Sequence, residues 1–204
     1  MTETELTAAI RELALDRSRR THMARLSWPP SSPAAQAAKA RVTGLQKRLD
    51  AAGGRASRLT LDDPLPLPVD RQTVIAAEDR LGFAFPSLLG RLWAEVANGG
   101  FGPGYGLFGL RGGHVDDASR LPLPDLYLNA IEGPAWERFL GEPWPARLVP
   151  ICDWGCHHQS AIDCSTLEAK VIDLIDGYQR QPKGVSFARW MEDWVNGVDL
   201  WVAG

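Results

Sequence analysis

The sequence predicts an α+β fold in which helices come first, antiparallel strands follow and one helix closes the chain. Three apolar runs lie close together between residues 148 and 175, and the segments between them are too short to hold crossover helices. We therefore expect a mainly antiparallel sheet built as a meander. After it, Ser186 caps a helix whose large apolar side chains share one face, namely Phe187, Trp190, Met191, Trp194 and Val195.

The first 60 residues predict a helical hairpin added to the main body. Apolar residues recur at helical spacing within residues 3–20, namely Leu6, Ile10 and Leu13. Ser32 and Pro33 then provide a cap and a first-turn proline for a second helix, which should end at the next glycine pair. Because the three prolines that follow prevent helix or paired strand from continuing, we divide the chain into an N-terminal helical extension at 1–60 and a main module at 61–204.

The main module opens with two helices. Asp70 can cap the first helix, and Gly82 sits where a left-handed C-terminal residue belongs. Pro86 opens the second helix, and Asn98-Gly99-Gly100 stops it. The glycine-rich loop that follows comes after a helix and carries no Gly-Lys-Ser/Thr, so it predicts a tight loop and not a phosphate cradle.

The middle of the module predicts shorter elements. The apolar piece at 107–110 fits a buried strand, and residues 124–128 and 136–140 fit short helices between prolines. The three strands of the meander are expected at 148–151, 158–162 and 170–175.

Composition limits the classes of function. The acidic N-terminus leads into no apolar run, which argues against a secretory signal or transit peptide, and no stretch reaches the roughly 20 apolar residues of a membrane helix. Three cysteines, an odd number, suit a reducing compartment. We therefore expect a cytoplasmic protein with no membrane partner.

The net charge of −3 hides a division between the extension and the module. Residues 1–60 hold 11 Lys and Arg against 5 Asp and Glu, a net of +6, whereas residues 61–204 hold 11 against 20, a net of −9. The basic part lacks interleaved aromatic residues, so we expect no nucleic-acid partner. The acidic module instead suits a basic protein partner.

Possible metal or thiol chemistry is concentrated in one short segment, which holds Cys152, Cys156, His157, His158 and Cys164. Structural zinc normally needs a second, distant ligand pair, which is missing here. A thiol nucleophile needs an aligned base, and adjacent strand residues point to opposite faces. We therefore expect no metal, cofactor or catalytic residue, and interpret Trp154-Gly155 as a tight turn that displays the indole. A metal-binding or thiol enzyme using this cluster is the alternative from another class.

Several motifs together resemble the SUKH superfamily, which includes the yeast Smi/Knr cell-wall-synthesis regulators and many bacterial immunity proteins. The resemblance runs from about Val69 to Trp201 and rests on the order of the motifs at 78–86, 98–100, 148–156, 161–163, 170–173 and 186–190. It implies a strongly bent sheet flanked by helices, with no catalytic residues to transfer. It also implies protein binding, often to a polymorphic or contact-dependent toxin such as a nuclease.

The resulting expectation is a non-catalytic immunity protein that binds a basic toxin domain, with an intracellular scaffold or regulator in cell-wall or stress signalling as the alternative. The partner surface is predicted around the glycine-rich loop, the tryptophan turn and nearby acidic residues. Its candidate residues are Asn98, Gly99, Gly100, Tyr105, Asp116, Asp117, Asp153, Trp154 and His157.

Overall fold

A computed structural model describes residues 1–17, 19, 64–133, 141–155, 158–175 and 179–200. These residues form five helices and four strands, which confirms the predicted α+β class. The helices are α1 (Glu3–Leu15), α2 (Arg71–Leu81), α3 (Ser87–Glu95), α4 (Leu123–Glu132) and α5 (Phe187–Val195). The strands are β1 (Leu148–Gly155), β2 (His158–Asp163), β3 (Lys170–Ile175) and β4 (Gln179–Ser186). The second helix predicted in the extension and the short helix predicted at 136–140 lie outside the described residues.

The strands form one antiparallel sheet in the order β1-β2-β3-β4. Register shifts interrupt the β1–β2 pairing twice and the β3–β4 pairing once, and such bulges bend the strands that carry them. The fourth strand was not predicted, because Pro182 and Gly184 weaken its strand pattern. Proline is tolerated there because β4 lies at the edge of the described sheet, where no strand among the described residues pairs with one side of it.

The predicted helix boundaries of the module are confirmed at three places. The Asp70 Oδ1 atom accepts a hydrogen bond from the Thr73 backbone N–H at 2.7 Å, and Gly82 ends α2 with a left-handed φ of 77°. The Ser186 Oγ atom caps α5 by accepting from the Arg189 N–H at 3.2 Å. These helix termini could be predicted from the sequence because each depends on a local hydrogen bond or a local backbone conformation.

The core joins the five described helices and the sheet. The apolar faces of α1, α3 and α5 all contribute to one cluster of buried side chains, in which Trp93, Trp190 and Trp194 are fully buried. At the N-terminus, the Met1 ammonium lies 3.2 Å from the Glu192 carboxylate of α5. The helix α1 is therefore packed into the same core as the module that follows it, and it ends five residues earlier than the predicted 3–20 span.

The predicted strand at 107–110 is buried but is not a strand. Its backbone makes a single bridge to β1, between Leu107 and Cys152, and the Phe108 N–H donates to the Ile151 carbonyl at 2.7 Å. Gly106 has a φ of 101°, which turns the chain out of an extended path just before this piece. The segment therefore covers the outer edge of β1 as a loop.

Candidate functional site

A buried asparagine folds the loop that follows α3. The Asn98 side chain accepts the Leu110 N–H at 2.7 Å and donates to the carbonyls of Leu110 and Arg111, both at 3.4 Å. Its backbone carbonyl accepts the His114 N–H at 2.9 Å. Asn98 is buried, so this side chain closes the loop and is not available to a partner.

Glycine is needed where the loop crosses itself. Gly99 has a φ of 82°, and a Cβ atom at this position would lie 2.5 Å from the Leu107 carbonyl oxygen. Gly99 is also buried, whereas Gly100 is half-buried. The Asn98-Gly99-Gly100 motif therefore builds the loop, and its first two residues are not part of an exposed surface.

The structure brings the loop against the end of β1. The Tyr105 N–H donates to the Asp153 carbonyl at 2.8 Å, and a Cβ atom added to Gly104 would lie only 2.4 Å from that same oxygen. The phenol of Tyr105 lies against Gly155, where an added Cβ atom would approach the Oη atom to 2.9 Å. Two segments about fifty residues apart in the sequence are thus in direct contact.

The acidic pair at 116–117 is divided between the interior and the surface. Asp116 is 3% exposed, and its carboxylate accepts bonds from the N–H and the hydroxyl of Ser119, both at 2.7 Å. It also accepts a bond from Gln159 Nε2 of β2 at 3.4 Å. Asp117 remains half-buried and lies 3.3 Å from Arg120. Asp116 was predicted as a candidate for the partner surface, but the structure buries it because its carboxylate closes the turn that leads to Ser119.

Trp154 is buried, which corrects the prediction that a turn displays it. The strand β1 continues through Gly155, so the indole belongs to the strand and only 8% of the residue is exposed. Its Nε1 atom donates to the Ser160 hydroxyl at 2.8 Å. Buried indoles usually satisfy their N–H in this way. Of the remaining candidates, His157 lies outside the described residues.

We define the loop–turn surface as four partly exposed residues, three where the loop meets the sheet and one, Asp117, next to the Asp116 carboxylate that Gln159 contacts. They are Tyr105, Asp117, Asp153 and Gln159. The Asp153 carboxylate accepts the Gly155 N–H at 2.7 Å, which fixes it at the end of β1. Gln159 was missed by sequence reasoning, because only the β1–β2 register places it beside Asp153 and the loop.

The thiols of the described cysteines are unsuited to nucleophilic chemistry. Cys152 is fully buried, and burial raises the pKa of its thiol far above the ordinary range. Burial also raises the pKa of the Cys164 thiol to about 12. A thiol that stays protonated at neutral pH is a poor nucleophile and a poor metal ligand. Cys156 lies outside the described residues.

The predicted metal candidates are spread along the sheet. The Cys164 N–H donates to the carbonyl of Arg147, the residue before β1. Cys152 lies in β1 five residues after Arg147, which places it about 15 Å from that end of the strand at the usual rise per residue. His158 pairs with Gly155 at the far end of β1. Within the described residues, no three His, Cys, Asp or Glu side chains converge as metal ligands would.

A groove of about 430 Å³ lies between α2 and α3, with Val74 and Phe85 among its lining residues. Two of its charged side chains already have structural partners. Glu78 accepts the Phe85 N–H at 2.8 Å, and Arg91 forms an ion pair with Glu95 at 2.9 Å. None of the candidate residues that the structure describes lines this groove, and we assign it no chemistry.

The fold and site together define a small α+β module in which long-range hydrogen bonds hold a glycine-rich loop against the end of a bent sheet. The model of the SMI1 / KNR4 family (SUKH-1) matches residues 68–193, more than half of the chain, and the chain therefore belongs to this family. Comparisons with curated proteins and with solved structures give no match. No helix in the described part of the chain has the length and apolar character that crossing a membrane requires.

Proposed function

We propose that this SUKH-family chain is a non-catalytic, cytoplasmic protein-binding module that contacts a basic protein partner through the loop–turn surface. The proposed partner is a polymorphic or contact-dependent toxin, such as a nuclease, which the chain neutralises as an immunity protein. One observation carries the proposal: partly exposed Tyr105, Asp117 and Asp153 lie on a loop and strand end that buried hydrogen bonds hold in place.

The composition and rigidity of the loop–turn surface suit protein binding. Tyrosine supplies a large contact area and a polar group, and it is enriched in the residues that dominate binding energies. Tyr105 is anchored through its backbone to Asp153 at 2.8 Å, and its ring lies against Gly155. A surface that is already ordered loses less conformational freedom on binding, so more of the contact energy appears as affinity.

The charge of the module suits a basic partner. Residues 61–204 hold 20 Asp and Glu against 11 Lys and Arg, and the loop–turn surface adds Asp117 and Asp153 at the contact itself. Opposite charge accelerates encounter between proteins, and this effect weakens as salt is added. A nuclease that binds nucleic acid through basic residues is attracted to such a surface.

The partner can be identified by affinity capture from the source cell, together with inspection of the neighbouring gene. We expect a basic protein that stops growth when it is expressed alone and loses this effect when the chain is present. A captured partner without toxicity, combined with a growth or cell-wall defect in isolated deletion cells, would instead support the regulator or scaffold alternative. A deletion that affects only cells meeting toxin producers supports immunity.

A further inference from the structure

Each of the four strands contributes one polar side chain to a chain of hydrogen bonds across the sheet. The Trp154 Nε1 atom of β1 donates to the Ser160 hydroxyl of β2 at 2.8 Å, and Ser160 donates to Asp173 Oδ1 of β3 at 2.7 Å. Lys183 Nζ of β4 lies 2.9 Å from Asp173 Oδ2. The same ammonium donates to the Leu200 carbonyl at 2.7 Å, in the segment that follows α5. The chain of contacts therefore crosses the whole sheet.

The chemistry of the groups fixes the direction of every bond. An indole N–H and an ammonium can only donate, and a carboxylate and a carbonyl can only accept. The single hydroxyl proton of Ser160 points to Asp173 because the carboxylate can only accept, while the Ser160 oxygen receives the indole N–H of Trp154. Reversing one bond would leave two donors or two acceptors facing each other. The four side chains are therefore held in a single hydrogen-bonding arrangement, in which each hydrogen bond polarises and strengthens its neighbours.

Burial makes this arrangement costly to break. Ser160 is fully buried, the Lys183 side chain is 5% exposed and that of Asp173 is 20% exposed. Removing the ammonium would leave the Asp173 carboxylate without its compensating charge in a poorly solvated place. The carboxylate would then rearrange, and it cannot do so without disturbing the hydroxyl that receives the Trp154 indole.

The far end of the chain touches the loop–turn surface. A Cβ atom added to Gly104 would lie 3.3 Å from Cδ2 of Trp154, so the indole packs directly against the loop next to Tyr105. Trp154 also lies between Asp153 and Gly155, which are the two residues that Tyr105 contacts. The indole thus lies in direct contact with the loop, beside the backbone hydrogen bond that joins Tyr105 to Asp153.

From this geometry we infer that Asp173 and Lys183 are positioning residues for the loop–turn surface, and that the segment at Leu200 is coupled to that surface through Ser160 and Trp154. Neither charged residue contacts the loop itself in this arrangement. Their effect is transmitted by one continuous set of hydrogen bonds and ends at the packing of the indole on Gly104. The coupling of Asp173 and Lys183 to Trp154 does not depend on the proposed function. Only the expected effect on partner binding rests on that function.

The test uses the indole N–H resonances of the full chain. Trp154 is assigned by the loss of its signal in Trp154→Phe, and Trp93, whose Nε1 atom donates to the Phe108 carbonyl at 3.0 Å, serves as the internal reference. In Lys183→Met we expect the Trp154 resonance to shift and its hydrogen exchange to accelerate at least about tenfold more than that of Trp93. The matched control is Lys170→Met, which removes an exposed lysine of β3 and should leave both indoles unchanged.

Equal acceleration at Trp154 and Trp93 would show that the substitution merely lowers global stability, and it would overturn the inference, as would no change at Trp154. If Lys183→Met does not fold, Asp173→Asn is measured in the same way with the same expectation.

A double-mutant cycle gives an independent check, because Trp154 and Lys183 are joined only through Ser160 and Asp173 in this chain of bonds. The combined effect of Trp154→Phe and Lys183→Met on the unfolding constant should depart at least about threefold from the product of the single effects. An exactly multiplicative result would contradict the coupling.

These readouts need no partner, so they succeed or fail independently of the proposed function. If the captured protein binds at the loop–turn surface, Lys183→Met should also weaken its binding, whereas Lys170→Met should not. An intact coupling with unchanged binding would contradict the proposed site and leave the positioning of Trp154 standing.

Discussion

Acidification should destabilise this protein through one buried histidine. His114 lies in the closed loop after α3, is almost completely buried and stacks on Phe108 with ring centroids 6.2 Å apart. Burial, reinforced by the positive charge of Arg120, lowers the pKa of this imidazole from 6.5 to about 4, although Asp116 acts in the opposite direction. The folded state therefore holds a neutral imidazole under conditions in which an unfolded chain would bind a proton.

The depressed pKa fixes both the direction and the window of the effect. Above pH 6.5 the imidazole is neutral in both states, so His114 adds no pH dependence. Below that value the unfolded chain gains a proton and the folded protein does not, and the free energy of unfolding falls until the pH reaches about 4. The shift corresponds to about 3 kcal/mol in total, and to about 2.5 kcal/mol between pH 7 and pH 4.5.

Urea denaturation at pH 7, 5.5 and 4.5 measures this loss for the natural chain and for His114→Gln. The glutamine amide keeps a donor in the same region but has no proton to gain. Between pH 7 and pH 4.5, the free energy of unfolding of His114→Gln should therefore fall by about 2.5 kcal/mol less than that of the natural chain. Carboxylates that titrate in the window contribute equally to both proteins and cancel in the comparison. Identical pH dependence in the two proteins would refute the assignment of the loss to His114.

Three shorter predictions test the fold and the site chemistry. Gly99→Ala should lower the free energy of unfolding by at least about 2 kcal/mol more than Gly82→Ala does, because both positions have positive φ but only Gly99 has no space for a Cβ atom. Equal losses of unfolding free energy in urea denaturation would argue against the close approach at Gly99. Cys152 should resist a thiol reagent in the native state and react once the chain is unfolded, as followed by mass spectrometry; rapid native labelling would contradict its burial. Asp70→Ala should remove the cap on Thr73 and lower the urea midpoint of unfolding, while an unchanged midpoint would show that the cap contributes nothing.

The parts of the fold that depend on local chemistry could be predicted from the sequence. Asp70 and Ser186 are recognisable as caps because their side chains bond to a backbone N–H three residues later. The buried faces of α3 and α5 could also be predicted, because the helical spacing of apolar residues is a local property of the sequence. The strand β4 was missed, because Pro182 and Gly184 are unfavourable within a strand and only the edge position in the finished sheet accommodates them.

The sequence grouped the glycine-rich loop with the end of β1, but it did not predict that several of the candidate residues are buried. The loop and the end of β1 do meet, and Tyr105 and Asp153 are joined by a backbone hydrogen bond. The burial of Asp116 and Trp154 depends on Gln159 and Ser160, partners from β2 whose positions follow only from strand register. Local signals were present at two places. Ser160 shares a strand face with apolar Ile162 and therefore needs a buried hydrogen-bond partner, and Ser119 follows Asp116 at a spacing that allows the carboxylate to close a turn.

Binding of the captured partner to surface variants tests the proposed function most directly. Asp117→Lys and Tyr105→Ala change the loop–turn surface, and Asp79→Lys makes the same charge change at an exposed position of α2. Circular dichroism first establishes that each variant is folded. We predict that Asp117→Lys and Tyr105→Ala each raise the Kd at least about tenfold, with the effect of Asp117→Lys shrinking in high salt, while Asp79→Lys stays within about twofold. Unchanged affinity in both surface variants, or equal losses in all three, would contradict the assignment of the partner to the loop–turn surface.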